Sequence, residues 1–229
     1  MIGFDSPGSE QPTTPRIQRL SDLIFGLALS ISALTLVGQQ PATNEQLGFS
    51  LGLYGFSFLI LISVWRVYSS VSSMLLSETS FLVDLNIALL FLVSVEPYLF
   101  NELFTVQGPM SANVTGMYSL DLAGMFFIMA YFDHSLAREE KHLVPIELLE
   151  KHRSARNFRL LIAGVFLVSI LPFFGETVLF TSITGDKTYD FTLRSFMWLL
   201  GLFLVWGRRA FTTVRGRQVK VVASPAQAA

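Results

Sequence analysis

The sequence predicts an all-α integral membrane protein with six transmembrane helices and both termini in the cytoplasm. Of its 229 residues, 52% are hydrophobic and only 14% are charged, well below the ~25% charged residues of typical soluble domains. Six apolar runs are long enough to cross ~30 Å of hydrocarbon at ~1.5 Å per helical residue. Basic residues are concentrated in alternate connections between these runs, which sets the orientation.

The six predicted spans cover residues 17–38, 47–69, 79–101, 117–137, 158–181 and 191–211. Each is expected to be helical, because a bilayer offers no water to the backbone N–H and C=O groups. A β-barrel would instead need segments of about ten residues with alternating polarity. Residues 1–15 are rich in Pro, Ser, Gly and Thr and are expected to form a disordered leader. Residues 16–212 are then expected to form one six-helix transmembrane domain, and 213–229 a basic and then flexible tail.

The distribution of lysine and arginine orients the predicted spans. Connections 39–46 and 102–116 contain neither residue, and connection 182–190 contains only Lys187. The opposite connections and the segments flanking the first and last spans are strongly basic. The positive-inside rule therefore places both termini in the cytoplasm. Within the basic connection, residues 139–152 fit either an amphipathic interfacial helix or a solvated charged linker.

The first predicted span has two different faces. At ~100° per residue, one face carries mainly large apolar side chains: Leu20, Leu23, Leu27, Ser30, Ile31 and Leu34. The roughly opposite face carries Asp22, Phe25, Leu29, Ser32 and Leu36. An acid at membrane depth is costly without a partner, so Asp22 is expected to face the protein interior. Trp65 and Asn86 are its candidate hydrogen-bond donors; a helix cap or an interfacial position would also explain Asp22.

Residues 16–100 resemble the transmembrane protein 175 family of endosomal and lysosomal potassium channels and their prokaryotic relatives. Arg16, Leu20, Ser21, Asp22 and Phe25 resemble the family's R-x-x-x-F-S-D-x-x-F signature. Ser57-Phe58 followed by Trp65, and Asn86 followed by Pro97-Tyr98, resemble two further family patterns. The departures from those patterns are Leu20 for Phe, Leu23 for Gly, Ser30 for Thr and Tyr68 for His.

The resemblance implies a potassium-permeable cation channel whose pore is lined by the first helix of each subunit. Leu27, Ile31 and Leu34 would form a hydrophobic constriction, with Ser30 as an adjacent hydroxyl layer, in place of a carbonyl selectivity filter. One helix cannot enclose a pore, so copies must form a closed ring; the resemblance implies a homotetramer in a prokaryotic plasma membrane. The residues expected to form a structural network are Arg16, Ser21, Asp22, Phe25, Trp65 and Asn86.

Several other functions have little support in the sequence. No Ser-His, His-Glu-x-x-His or paired-carboxylate pattern indicates an enzyme, and there is no cysteine for a thiolate nucleophile or metal site. His134, His142 and His152 are too widely spaced for a metal motif and are expected in a solvated region. No cofactor or nucleic-acid partner is expected; the partners are monovalent cations, the lipid bilayer and further copies of the chain.

Two alternatives to a channel stay open. A secondary transporter would need polar groups at the membrane midplane and broken helices related by a repeat, but no repeat is evident. A non-conducting membrane assembly subunit is equally compatible with a stripe of leucines, which usually serves packing or lipid contact. Glu96 and Asp121 are expected at the outer interface, and Asp133 with His134 fits either a pH-sensing pair or a plain surface pair.

Overall fold

The computed structural model describes residues 14–38, 41, 43–72, 80–106, 109–139, 146–184 and 187–223. The helices are α1 (Thr14–Gly38), α2 (Asn44–Ser72), α3 (Ser80–Thr105), α4 (Pro109–Glu139), α5 (Ile146–Val168), α6 (Pro172–Glu176) and α7 (Leu193–Ala223). Strands β1 (Val178–Thr184) and β2 (Lys187–Thr192) form an antiparallel hairpin. The predicted leader lies outside the described residues, except that α1 already includes 14–15; the end of the predicted tail, 224–229, is also outside.

The described helices include four that are long and apolar enough to cross a membrane, namely α1 to α4. They overlap the first four predicted spans, so the prediction of a largely helical integral membrane protein is confirmed. α5 and α7 are also long, but basic residues interrupt or flank their apolar stretches. The count of six transmembrane helices therefore stays a prediction.

The fifth predicted span, 158–181, is wrong as a single helix. α5 ends at Val168, a turn follows at 169–171, and the short helix α6 precedes the hairpin. Pro172 contributes to this break, because proline lacks the N–H that a helix interior requires. At its other end α5 begins at Ile146, so the later part of segment 139–152 is continuous with it.

α4 lies at the centre of the bundle and packs mainly against α5 and α3, whereas α1 packs against α3 and α2. The fully buried side chains of α4 include Tyr118, Leu122, Met125 and Met129.

At one end of the bundle, Phe191 of β2 stacks on Phe180 of β1 at 4.6 Å and meets Phe49 of α2 edge-on. We call this the hairpin end, and the opposite end the basic end.

Candidate functional site

α1 presents one apolar face that the rest of the chain does not cover. Leu23, Leu27 and Leu34 are 68%, 58% and 64% exposed, and Ile31 is 40% exposed. Ser30 is exposed on the same face, and its hydroxyl donates to the Gly26 carbonyl oxygen at 2.8 Å. The residues predicted to form the constriction and the hydroxyl layer therefore share one uncovered face within a single subunit.

The opposite face of α1 is tightly buried. Ser21, Phe25, Ala28 and Ser32 are each at most 2% exposed. The Phe25 ring packs against Tyr68 of α2 with centroids 5.6 Å apart. Among the described residues, α1 packs against α2 and α3 mainly through this face, which leaves the leucine face available to lipid or to other subunits.

Asp22 lies at the edge of the buried face and is exposed in the single chain, so its predicted burial is wrong. The predicted contact with Trp65 is present: the indole Nε1 donates to the Asp22 Oδ1 atom at 3.1 Å. This contact ties the start of α1 to α2 near the basic end. Arg16 lies in the first turn of α1, and its side chain is outside the described ones.

Asn86, the other predicted partner of Asp22, instead belongs to a buried network around Tyr68. The Tyr68 and Ser21 hydroxyl oxygens are 2.7 Å apart. Because Ser21 donates its proton to the Ile17 carbonyl oxygen, Tyr68 is the donor in this pair. The Asn86 side chain also interacts with the Tyr68 hydroxyl. Tyr68, which stands where the resembling family has histidine, thus joins α1, α2 and α3.

A second buried network, nearer the hairpin end, was missed by the sequence analysis. Ser57 donates to both carboxylate oxygens of Glu96 at 3.1 Å, and the Tyr118 hydroxyl donates to Oε1 at 3.2 Å. The Ser32 hydroxyl lies 2.8 Å from that of Ser57, within hydrogen-bond distance. We call this set, Ser32, Ser57, Glu96 and Tyr118, the carboxyl network; it joins α1 to α4.

The expectation that Glu96 and Asp121 lie at the outer interface is wrong. Glu96 is fully buried and Asp121 is 4% exposed, because both acids point toward neighbouring helices rather than toward the ends of the bundle. Asp121 lies one turn beyond Tyr118 on α4, within electrostatic reach of Glu96. The rotation of α3 and α4 decides this burial, and no single-residue pattern in the sequence specifies that rotation.

The histidines near the basic end also differ from the prediction. His134 is exposed as expected, and His142 lies outside the described residues. His152, however, is 7% exposed, and its Nδ1 atom lies 3.3 Å from Oδ1 of Asp133. Asp133 is buried and forms an ion pair with Arg159. Asp133 therefore joins α4 to α5 instead of forming a surface pair with His134.

The described residues contain no group of three or more His, Cys, Asp or Glu side chains that could hold a metal ion. The buried polar groups of the described residues are mainly hydroxyls, with the carboxyls of Glu96, Asp121 and Asp133 among them. Their arrangement fixes the rotation of helices, which in a bilayer depends heavily on interhelical hydrogen bonds and close packing. Fold and site together define a multi-helix integral membrane protein in which α1 presents an exposed apolar face to its surroundings.

Comparison with known proteins identifies which membrane proteins the chain is similar to. The sequence pattern of the family described as endosomal/lysosomal potassium channel TMEM175 matches residues 16–97. The fold is similar to a crystal structure of a lysosomal potassium-selective channel TMEM175 homolog from Chamaesiphon minutus, with TM-score 0.55 and 14% identity. That similarity covers 86% of this chain and 98% of the other. The resemblance to this family is therefore confirmed, and no curated protein matches the chain.

Proposed function

We propose that the chain is one subunit of a potassium-permeable cation channel whose pore is lined by α1. Leu27, Ile31 and Leu34 form the hydrophobic constriction, and Ser30 forms the adjacent hydroxyl layer. The observation that carries this proposal is the exposed leucine face of a helix whose other face is firmly fixed. The similarity of residues 16–97 to a potassium-channel family supports the same function.

The contacts behind α1 explain how its leucine face can serve as a pore wall. Three hydrogen bonds join Asp22, Ser21 and Ser32 of α1 to α2. They are spread over about three turns in the middle of α1, so the helix cannot rotate without breaking them. A helix that only contacts lipid with this face does not need a fixed rotation, whereas a helix whose side chains form a ring around the pore axis does.

The chemistry of the exposed face suits a gate that closes by dewetting. A narrow ring of leucine side chains offers no hydrogen bonds to water and can exclude it from the pore. Ser30 donates its proton to Gly26, so its oxygen lone pairs remain directed outward from the helix. A ring of such oxygens can solvate a cation in the open pore.

The assembly we propose is a homotetramer of six-span subunits in a prokaryotic plasma membrane, with both termini in the cytoplasm. α5 and α7 have 23 and 31 residues, or ~35 and ~45 Å at ~1.5 Å per residue. Both are physically long enough to complete six spans when packed beside α4. The alternation of basic connections supports the orientation, and the family resemblance supports the tetramer.

Bilayer recording with a matched pair of variants tests this function. Purified protein is reconstituted, and unitary currents are recorded in potassium and in sodium for the wild type, Leu27→Ala and Leu161→Ala. Leu161 of α5 is 55% exposed, close to the 58% of Leu27, but lies away from the proposed pore. Unitary potassium currents are expected in all three proteins, with larger or longer openings only in Leu27→Ala.

Other outcomes would contradict the proposal in specific ways. No current from well-folded, oligomeric protein would favour a non-conducting assembly subunit. Substrate-coupled uptake without unitary events would favour a secondary transporter. Equal effects of Leu27→Ala and Leu161→Ala would show that the leucine face of α1 has no special position relative to the pore.

A further inference from the structure

Two buried carboxyl groups lie between α3 and α4 in contrasting surroundings. Glu96 accepts hydrogen bonds from two hydroxyl donors, Ser57 and Tyr118. Neither carboxyl oxygen of Asp121 has a hydrogen-bond partner among the described groups, although the side chain is 96% buried. Asp121 lies one helical turn beyond Tyr118, whose hydroxyl donates to Glu96, so the two carboxyls share the same region between α3 and α4.

The described surroundings of this pair supply hydroxyls but no ion-pair partner. α1 and α2 contribute Ser32 and Ser57, and α4 contributes the Tyr118 phenol. Toward the hairpin end, the buried Arg194 of α7 is bonded to the carbonyl oxygens of Ala112, Ser169 and Ile170 and to the Thr115 hydroxyl. On α3 itself, the Glu102 carboxyl is partly exposed and accepts from Thr105.

Two ionised carboxylates cannot both remain in this site at a tolerable free energy. Burying a carboxylate that has neither a cation nor hydrogen-bond donors costs several kcal/mol, and a second nearby negative charge adds repulsion that an apolar interior screens weakly. Hydrogen bonds donated to a carboxylate stabilise its ionised form. Glu96 receives such bonds and Asp121 does not, so the proton belongs on Asp121.

We propose that Glu96 and Asp121 form a proton-binding site inside each subunit, occupied at neutral pH by a proton on Asp121. The hydroxyls of Ser57 and Ser32 connect this site to the buried face of α1. Loss of the proton changes the charge at one end of this chain of hydrogen bonds and thereby the attachment of α1. The site consists of residues of a single chain, so it does not depend on the proposed channel function.

Infrared spectroscopy of the purified protein in lipid tests the site directly. At pH 7 the wild type should show the carbonyl stretch of a protonated carboxylic acid, shifted in D₂O, and Asp121→Asn should lack it. Glu96→Gln should keep the band, because Asp121 stays buried without a cation. The control is Asp84→Asn on α3, an exposed acid, which should keep the band unchanged. Circular dichroism and gel filtration establish that each variant is folded.

Three results would overturn the proposal. The first is the absence of the protonated-carboxyl band in the wild type at pH 7. The second is a band that survives Asp121→Asn unchanged, which would place the proton elsewhere. The third is loss of the band when sodium or potassium is added at constant pH, which would indicate a metal-cation site. If Asp121→Asn does not fold, Asp121→Glu serves instead, and an unmoved band frequency would overturn the assignment.

Discussion

Single side chains in this protein join consecutive helices through short, buried hydrogen bonds. Ser21 and Tyr68 join α1 to α2, and Ser57 with Glu96 joins α2 to α3. On the far side of α4, the Ser119 hydroxyl accepts from Trp198 of α7 at 2.8 Å. Lipid tails are as apolar as leucine, so such bonds and close packing specify helix positions more than hydrophobic burial does.

The two hydrogen bonds at the start of α1 are expected to differ in their contribution to stability. Tyr68→Phe removes a buried hydroxyl and leaves Ser21 and Asn86 without this partner, which costs about 1–3 kcal/mol. Trp65→Phe removes a donor to Asp22, which is exposed and can bond to water instead, so its cost is less than about 1 kcal/mol. Thermal unfolding in one detergent should therefore show the larger drop in midpoint for Tyr68→Phe. The reverse order would contradict the structure.

Residue chemistry alone predicted some of these contacts and not others. The Asp22–Trp65 bond was predictable, because an acceptor-only acid and a donor-only indole lie at the same end of adjacent spans. Asn86 lies at the predicted depth, but its side chain interacts with the Tyr68 hydroxyl and not with Asp22. The burial of Glu96 and Asp121 depends on the rotation of α3 and α4, which only contacts between distant residues determine.

At the scale of whole elements, the end of α5 depends on an arginine that is distant in sequence. Arg194 Nε donates to the Ser169 carbonyl oxygen at 2.7 Å, and Nη2 donates to that of Ile170 at 3.1 Å. These carbonyls belong to the turn that directly follows α5, close to the C-terminal end of the helix, where the dipole favours a positive charge. A Cβ atom at Gly175 would lie 2.7 Å from Nη2, so the chain beyond α5 leaves room for the guanidinium.

Removal of the Arg194 guanidinium should destabilise the hairpin end of the protein. In Arg194→Met, the carbonyls of Ser169 and Ile170 lose their donors, at about 1–3 kcal/mol for each that stays unpaired. Arg208→Met is the matched control, because Arg208 also donates to a carbonyl, that of Ser154, but at an exposed site. Hydrogen–deuterium exchange should show faster exchange at 166–176 in Arg194→Met than in Arg208→Met. Equal protection in both variants would contradict the capping role.

The sequence predicted α1 to α4 well because each contains a strongly apolar stretch of membrane length with few charged residues. The same criterion failed for 158–181, where apolar residues continue through Pro172 into the strand residues Val178–Thr184. Hydropathy does not distinguish an apolar strand from the end of an apolar helix. β2 pairs with β1, and Arg194 donates to the carbonyls that follow α5. Both β2 and Arg194 lie beyond residue 181, so the predicted segment alone could not reveal these contacts.

In the whole protein, the leucine face of α1 needs a covering that the described part of a single chain does not supply. Leu20, Leu23, Leu27 and Leu34 are each more than half exposed. Lipid could cover them, but a ring of subunits that meet through α1 would bring the same faces together around an axis. The two arrangements differ in one measurable quantity, the distance between Leu27 positions of neighbouring subunits.

Disulfide crosslinking can measure that proximity without background, because the chain contains no cysteine. In Leu27→Cys, oxidation in the membrane should join pairs of subunits, since a disulfide forms only when the Cα atoms approach within about 7 Å. Leu161→Cys, at a similarly exposed position of α5, should stay monomeric on a denaturing gel. Native mass spectrometry of the uncrosslinked protein should show four copies. Efficient crosslinking through Leu161→Cys but not Leu27→Cys would place α5, not α1, at the subunit contact and would exclude the proposed pore.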